Sequence, residues 1–244
     1  MPDYDSIKAA LSLGEIKLHY QPIHNLSTGQ LEGYEALARW GKIPPPAIAN
    51  LIEEHSLQAV WIQQQLADVD AMLASAPPPL WVSLNLNQKA LALPGLAALL
   101  AALPHHLRVH VEILESVRLT PASVAVIKAI ALQHTIKADD IGSSEHGGLD
   151  RIVGEHGPLF HGIKLCRGLT QNILTDERTA TACRLLLEFA ETYDLMTTAE
   201  WVECEEQADQ LRDWGCDLGQ GALYGLAIPW DAIARAGKEK PPHG

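Results

Sequence analysis

The chain is predicted to fold as an α/β protein, a (β/α)8 barrel with an irregular start. Three observations predict it. Eight short β-rich runs are spread over the 244 residues. Ala/Leu-rich amphipathic stretches separate most of them. After an opening hairpin the alternation is β-α, which favours a parallel sheet.

The elements follow in order. "IKLHYQPI" (16–23) and "LEGYEALAR" (31–39) are expected strands joined by "HNLSTGQ", a polar turn with Gly29, which predicts an antiparallel hairpin. "AIANLIEEHSLQAVWIQQQLADVDAMLASA" then reads as one amphipathic helix. "LWVSLNL" (80–86) and "RVHVEIL" (108–114) are the next strands. Thr120-Pro121 opens the helix "TPASVAVIKAIALQH" as an N-cap followed by proline at the first helical position. "TIKAD" (135–139) and "GIKL" (162–165) follow as strands, then the helix "ERTATACRLLLEFAETY". "MTTAEWV" (196–202) and "GALYGL" (221–226) complete the set. "IPPPA" and "APPPL" punctuate helix ends and are too short to link domains, so residues 1–244 are expected to form a single domain. "GKEKPPHG" reads as a short flexible C-terminal tail.

Bulk properties exclude several classes. Apolar residues make up 47% and charged residues 20%, as in globular chains with a sizeable core. A net charge of −12 argues against DNA, RNA or an anionic membrane as partner, since each needs a basic face. Cys166, Cys183, Cys204 and Cys216 form no CxxC pair and read as reduced thiols. "MPDYDSIKAALSLGE" lacks a secretory pattern, and "GLAALLAAL" (95–103) is too short to span a bilayer. The expected setting is cytoplasmic. Eleven histidines, including His105-His106, His156 and His161, show no HExxH or paired metal spacing, so no zinc site is expected.

In such a barrel, chemistry sits at the C-terminal strand ends. The polar residues there are Glu35, Asn85, Glu112, Asp139 with Asp140, Lys164, Glu200 and Gln220. Five acidic groups at one mouth repel each other strongly unless protonated or bound to cations. Carboxylates plus one amide oxygen suit Mg²⁺ or Mn²⁺, and a bridging carboxylate suits two ions. Such ion pairs cleave phosphate esters. Asp139 and Asp140 are both expected to face the mouth because the chain leaves the strand at that point.

"YEALAR" (34–39) carries a Glu-Ala-Leu signature. Further matches follow in order: "LHYQPI", "VSLNLN", "VEILES", "ADDIG", "IKL", "AEWVE" and "GQGALYG". Over roughly residues 15–229 the chain resembles the EAL-domain family, the cyclic di-GMP phosphodiesterases. The resemblance implies a TIM-like barrel with an antiparallel first strand, and hydrolysis of cyclic di-GMP to linear pGpG with two Mg²⁺ or Mn²⁺ ions and inhibition by Ca²⁺. It implies Glu35, Asn85, Glu112 and Asp139 as the primary metal shell, with Asp139 bridging to a second ion held also by Asp140. Lys164 and Glu200 are implied to position or deprotonate the attacking water, Glu35 is counted with them as catalytic, Glu200 also with the metal ligands, and Gln220 is implied to order the site and bind substrate. Gln21 and Arg39 resemble substrate contacts, Arg39 through its forked donors. Glu115 resembles the glutamate that steadies the loop after the two aspartates. A homodimer is a further expectation from the family.

The chain departs from that pattern in places. Cys166 replaces an Asp after the lysine. "DDIGSSEHGGL" is one residue longer than the family's loop, with Glu145 and His146 inserted. Trp201 stands where the family has glycine, and Leu114 and Asn87 replace small hydroxyl residues. The alternative activity is therefore a cyclic di-GMP receptor without turnover.

Overall fold

The computed structural model describes residues 2–75, 80–104, 108–143 and 149–238. It opens with α1 (Tyr4–Ser12), β1 (Lys17–Asn25) and β2 (Leu31–Arg39), then α2 (Pro45–Glu54), α3 (Gln58–Leu73) and β3 (Trp81–Leu86). Two short helices, α4 (Gln88–Leu91) and α5 (Leu96–Ala101), lead to β4 (Arg108–Ile113), α6 (Pro121–Ala131) and β5 (Thr135–Ile141). After α7 (Asp150–Val153) and a 3-10 turn come β6 (Gly162–Leu165), α8 (Arg167–Thr170), α9 (Glu177–Thr192) and β7 (Met196–Ala199). The described chain ends with α10 (Glu205–Asp213), β8 (Leu218–Gln220), β9 (Ile228–Pro229) and α11 (Trp230–Lys238).

Strands β2 to β8 pair in sequence order and β1 closes the ring between β8 and β2, making an eight-stranded barrel. β1 is antiparallel to both neighbours, while β2 to β8 pair in parallel. The hairpin expected at residues 16–39 is this β1–β2 pair, with Gln21 opposite Glu35. β9 adds an antiparallel pairing of His19 and Tyr20 with Pro229 and Ile228.

Period-two alternation explains how the strands fill both faces. In β4, Val109, Val111 and Ile113 join the main core under the helices, while His110 and Glu112 are buried inside the barrel. In β3, Val82, Leu84 and Leu86 take the outer role, and Trp81 packs with Ile23 and Leu218 in a separate inner cluster. Gly33 makes room for it, since a Cβ there would overlap the Trp81 indole.

Three sequence expectations are corrected. "GALYGL" is not the eighth strand. Leu218–Gln220 takes that place, and residues 221–225 form a turn in which Gly225 N donates to Gly221 O. The expected single helix from Ala47 is two; the chain breaks between α2 and α3, with Ser56 at φ +57°. β5 runs past Asp139 to Ile141, with a register shift between Ala138 and Ile141 in place of an exit from the sheet. Thr120 caps α6 as expected, its Oγ1 accepting from Ser123 N. "APPPL", His105-His106, the Glu145-His146 insertion and the end of the C-terminal tail fall wholly or partly outside the described residues. All four cysteines are free, and no helix among the described residues is long and apolar enough to cross a membrane.

Gly221 is the tightest backbone approach at the mouth, because a Cβ there would overlap the backbone of Val202. Gly221→Ala should cost about 1–3 kcal/mol, read as a lower urea midpoint at unchanged slope. An unshifted midpoint would show that the turn gives way freely.

Candidate active site

Lys164, on β6, is fully buried and sits at the centre of the predicted residues. Its Nζ lies 2.6 Å from Glu200, 2.9 Å from Glu112, 3.2 Å from Asp139 and 3.4 Å from Glu35. These carboxylates come from β2, β4, β5 and the end of β7, so one ammonium ties together four separate segments. Burial alone would depress a lysine, but the charges of Asp139, Glu112, Glu200 and Glu35 override it and raise its pKa well above 10.5.

Amides complete the ring. Asn85 Nδ2 donates to Glu35 Oε1 at 2.8 Å, and Gln220 Nε2 donates to Glu35 Oε2 at 2.7 Å. Gln220 Nε2 also reaches Gln21 Oε1 at 3.2 Å, and Gln21 Nε2 donates to Gly225 O. Burial pushes Glu35 up, yet Lys164 and these amides overcome it and hold Glu35 below the usual carboxylate range.

One ammonium cannot balance the whole ring. Burial, opposed by Lys164, pushes Glu112 up to about 7 and Glu200 up to about 8. Asp140 is pushed up to about 6 by burial and by the charges of Asp139 and Glu115. Asp140 adopts φ +52° at the β5 irregularity, a backbone state that Asp tolerates better than most residues.

Asp139, Asp140, Asn85 and Glu115 line one cavity of about 340 Å³, walled opposite by Pro45, Ala49 and Trp61. The loop that Glu115 was expected to steady includes residues 144–148, outside the described set. Arg39 does not reach the ring: its Nη1 donates to the carbonyl of Ala38 at 2.9 Å. The Cys166 thiol is buried, which raises its pKa, and it is absent from the ion pairs of Lys164.

The sequence reading missed a second buried cation. Lys137, paired in register with Glu112, donates from Nζ to Thr198 Oγ1 at 3.2 Å and lies 4.5 Å from the Trp81 ring centre. Trp81 stacks on His110 at 4.0 Å. Burial pushes Lys137 down to about 8, and burial with the Lys137 charge pushes His110 down to about 2. The available signal was the alternation itself, since Lys137 stands two residues before Asp139 on the same strand.

The donor set fits a divalent ion. Among the described residues, Asn85 Oδ1, Glu112 Oε1 and Gln220 Oε1 are buried acceptors without a hydrogen-bond partner, and hard cations take such oxygens. No group of three His, Cys, Asp or Glu side chains among the described residues forms a ready cage, because the carboxylates close on Lys164.

Barrel, mouth and signature are those of a known class. The EAL domain family matches residues 5–227, and the chain belongs to it. Cyclic di-GMP phosphodiesterase RocR of Pseudomonas aeruginosa is 28% identical over 246 residues, covering 94% of this chain and 62% of RocR. The uncharacterized protein y4lL of Sinorhizobium fredii is 29% identical over 240 residues, covering 92% of this chain and 28% of y4lL. The chain thus spans less than two thirds of the length of these relatives. Among solved structures, the PaMucR phosphodiesterase in complex with c-di-GMP has a TM-score of 0.78 at 25% identity, covering 94% of this chain and 98% of that one.

A divalent ion held by Glu112 and Glu200 would require both to ionise fully, so a titration of Mg²⁺ or Mn²⁺ into the protein at pH 7 is expected to release protons. The calorimetric heat should then differ between PIPES and Tris buffers, which differ in ionisation heat; equal heats would refute the raised carboxylates. The same groups make metal-free stability fall as pH rises from about 4.5 to about 8, since across that window the folded state binds more protons than the unfolded one.

Proposed function

We propose that this chain hydrolyses one phosphodiester of cyclic di-GMP to linear pGpG, using Mg²⁺ or Mn²⁺. The observation that carries the reading is the convergence of Glu35, Glu112, Asp139 and Glu200 on Lys164 at the mouth of an EAL barrel. RocR is named for this activity, and the PaMucR structure holds this ligand.

Glu35, Asn85, Glu112 and Asp139 would hold one ion, with Asp139, Asp140 and Glu200 toward a second. When bound, such ions acidify a water and neutralise phosphoryl oxygens. They also make a dianionic ligand compatible with a chain of net charge −12.

The protein's own groups divide the remaining work. Lys164, an ammonium among four carboxylates, is placed to orient the attacking water and to face developing phosphoryl charge. Glu200, 2.6 Å from Lys164 at the end of β7, is placed to take the proton from that water. Gln220 and Gln21 fix the Glu35 side of the mouth through their amides. Arg39, now turned onto its own chain, has the forked donors to grip a phosphate once the ligand displaces that contact.

One observation favours a second reading, a receptor that binds without turnover. Cys166, two residues after Lys164 and standing where the family has an Asp, is a buried thiol that takes no part in the Lys164 ion pairs and brings no carboxylate charge to the site.

Incubation with cyclic di-GMP and Mn²⁺, followed by chromatography, should yield pGpG, and Glu35→Ala and Asp139→Ala should each abolish it. Product from both variants would place the chemistry elsewhere. Calorimetric binding with no product from the unmodified chain would establish the receptor.

A further inference from the structure

Trp201 directly follows Glu200 at the barrel mouth and carries two features that packing does not explain. Its backbone is left-handed, at φ +55°, a conformation that a bulky side chain disfavours. The residue is 43% exposed. The conformation is imposed from both sides: Glu200 N donates to Leu165 O, Val202 N to Gln220 O, and Leu223 N to Val202 O. Glycine would satisfy this backbone without strain.

A strained residue left in solvent at an active-site rim is a candidate ligand contact. Arg167 strengthens the case. It lies three residues beyond Lys164, and its guanidinium carbon sits 4.1 Å from the centre of the Trp201 ring. Arg167 Nε donates to Gln171 Oε1 at 2.8 Å, which fixes the plane of the guanidinium. Together they form a partly exposed cation–aromatic pair whose members directly follow Glu200 and closely follow Lys164 in the chain, the two groups that handle water in the proposed reaction.

We infer that Trp201, braced by Arg167, is a specificity-determining residue that stacks one purine base of the dinucleotide. The inference rests on the phosphodiester reading above and adds to it the group that grips a base. Purine faces stack on aromatic and guanidinium planes, and the nearby charge of Arg167 suits an anionic nucleotide.

The test is calorimetric titration of cyclic di-GMP into the full chain, with Ca²⁺ in place of Mn²⁺ to hold back turnover. Trp201→Gly should weaken binding about ten-fold or more, as expected for loss of one base stack. Trp201→Phe should recover most of that loss, and Arg167→Gln should lose less than Trp201→Gly. Trp201→Gly should keep its Tm, because glycine accepts the backbone, so lost affinity with a retained Tm separates contact from folding. Trp201→Gly binding within two-fold of the unmodified chain overturns this inference alone. No uptake of cyclic di-GMP by the unmodified chain overturns it together with the proposed function.

Discussion

The Lys164 ammonium, within 3.4 Å of four carboxylates, is the interaction on which the mouth depends. Without it, four anions from β2, β4, β5 and the end of β7 would face one another in a poorly solvated ring. Breaking such a buried pair by removing one partner costs about 3–5 kcal/mol, because a charge is left uncompensated. The barrel can therefore hold so much negative charge inside only while a cation stands among it. The same balance limits the site. A single ammonium leaves the ring anionic, and the remainder must be met by protons or by divalent ions. Protons and a divalent ion would compete for the same oxygens, which would couple occupancy to pH.

Below the ring the interior stays unusual. A barrel of this kind is a packed core and not a channel. Here Trp81 fills the space that Gly33 leaves, stacks on a neutral His110, and lies under the ammonium of Lys137. Lys137 neighbours Glu112 across the β4–β5 ladder, so positive charge backs the carboxylates from beneath as well as from their centre. Its ring partner partly compensates for lost hydration, since a desolvated cation over an aromatic face is attracted to it.

Much of this was legible in the sequence, and the reasons for the exceptions are physical. Seven of the expected strands stand, because each carries four or more residues with a buried outer face. The eighth, Leu218–Gln220, is too short to show an alternation, and the apolar "GALYGL" beside it imitated one. Its glycines serve a turn pressed against Val202. The break at Ser56 left the apolar spacing nearly in phase and has neither glycine nor proline to mark it. At the mouth, strand-end position located Glu35, Asn85, Glu112, Asp139, Lys164, Glu200 and Gln220. It did not foresee that the answering positive charge is first of all Lys164, since ion-pair partners are set by closure of the barrel. Arg39 was placed near the site by motif, and its guanidinium turns back onto the chain.

Two strained residues give the mouth a shared geometry. Asp140 at φ +52° follows Asp139, and Trp201 at φ +55° follows Glu200. Each is the residue after a carboxylate on Lys164, and their strands, β5 and β7, flank β6 on either side. A left-handed residue at this point turns the chain sharply, fixing the ring carboxylate inward while its successor escapes the alternation. For Asp140 the cost is modest and the gain is a second acid beside the first. For Trp201 the cost is larger, because the indole gains little burial in return. A strained conformation persists only where its surroundings impose it, and here backbone hydrogen bonds on both sides do so. The fold thus spends stability symmetrically around Lys164, once to double a carboxylate and once to present an aromatic face.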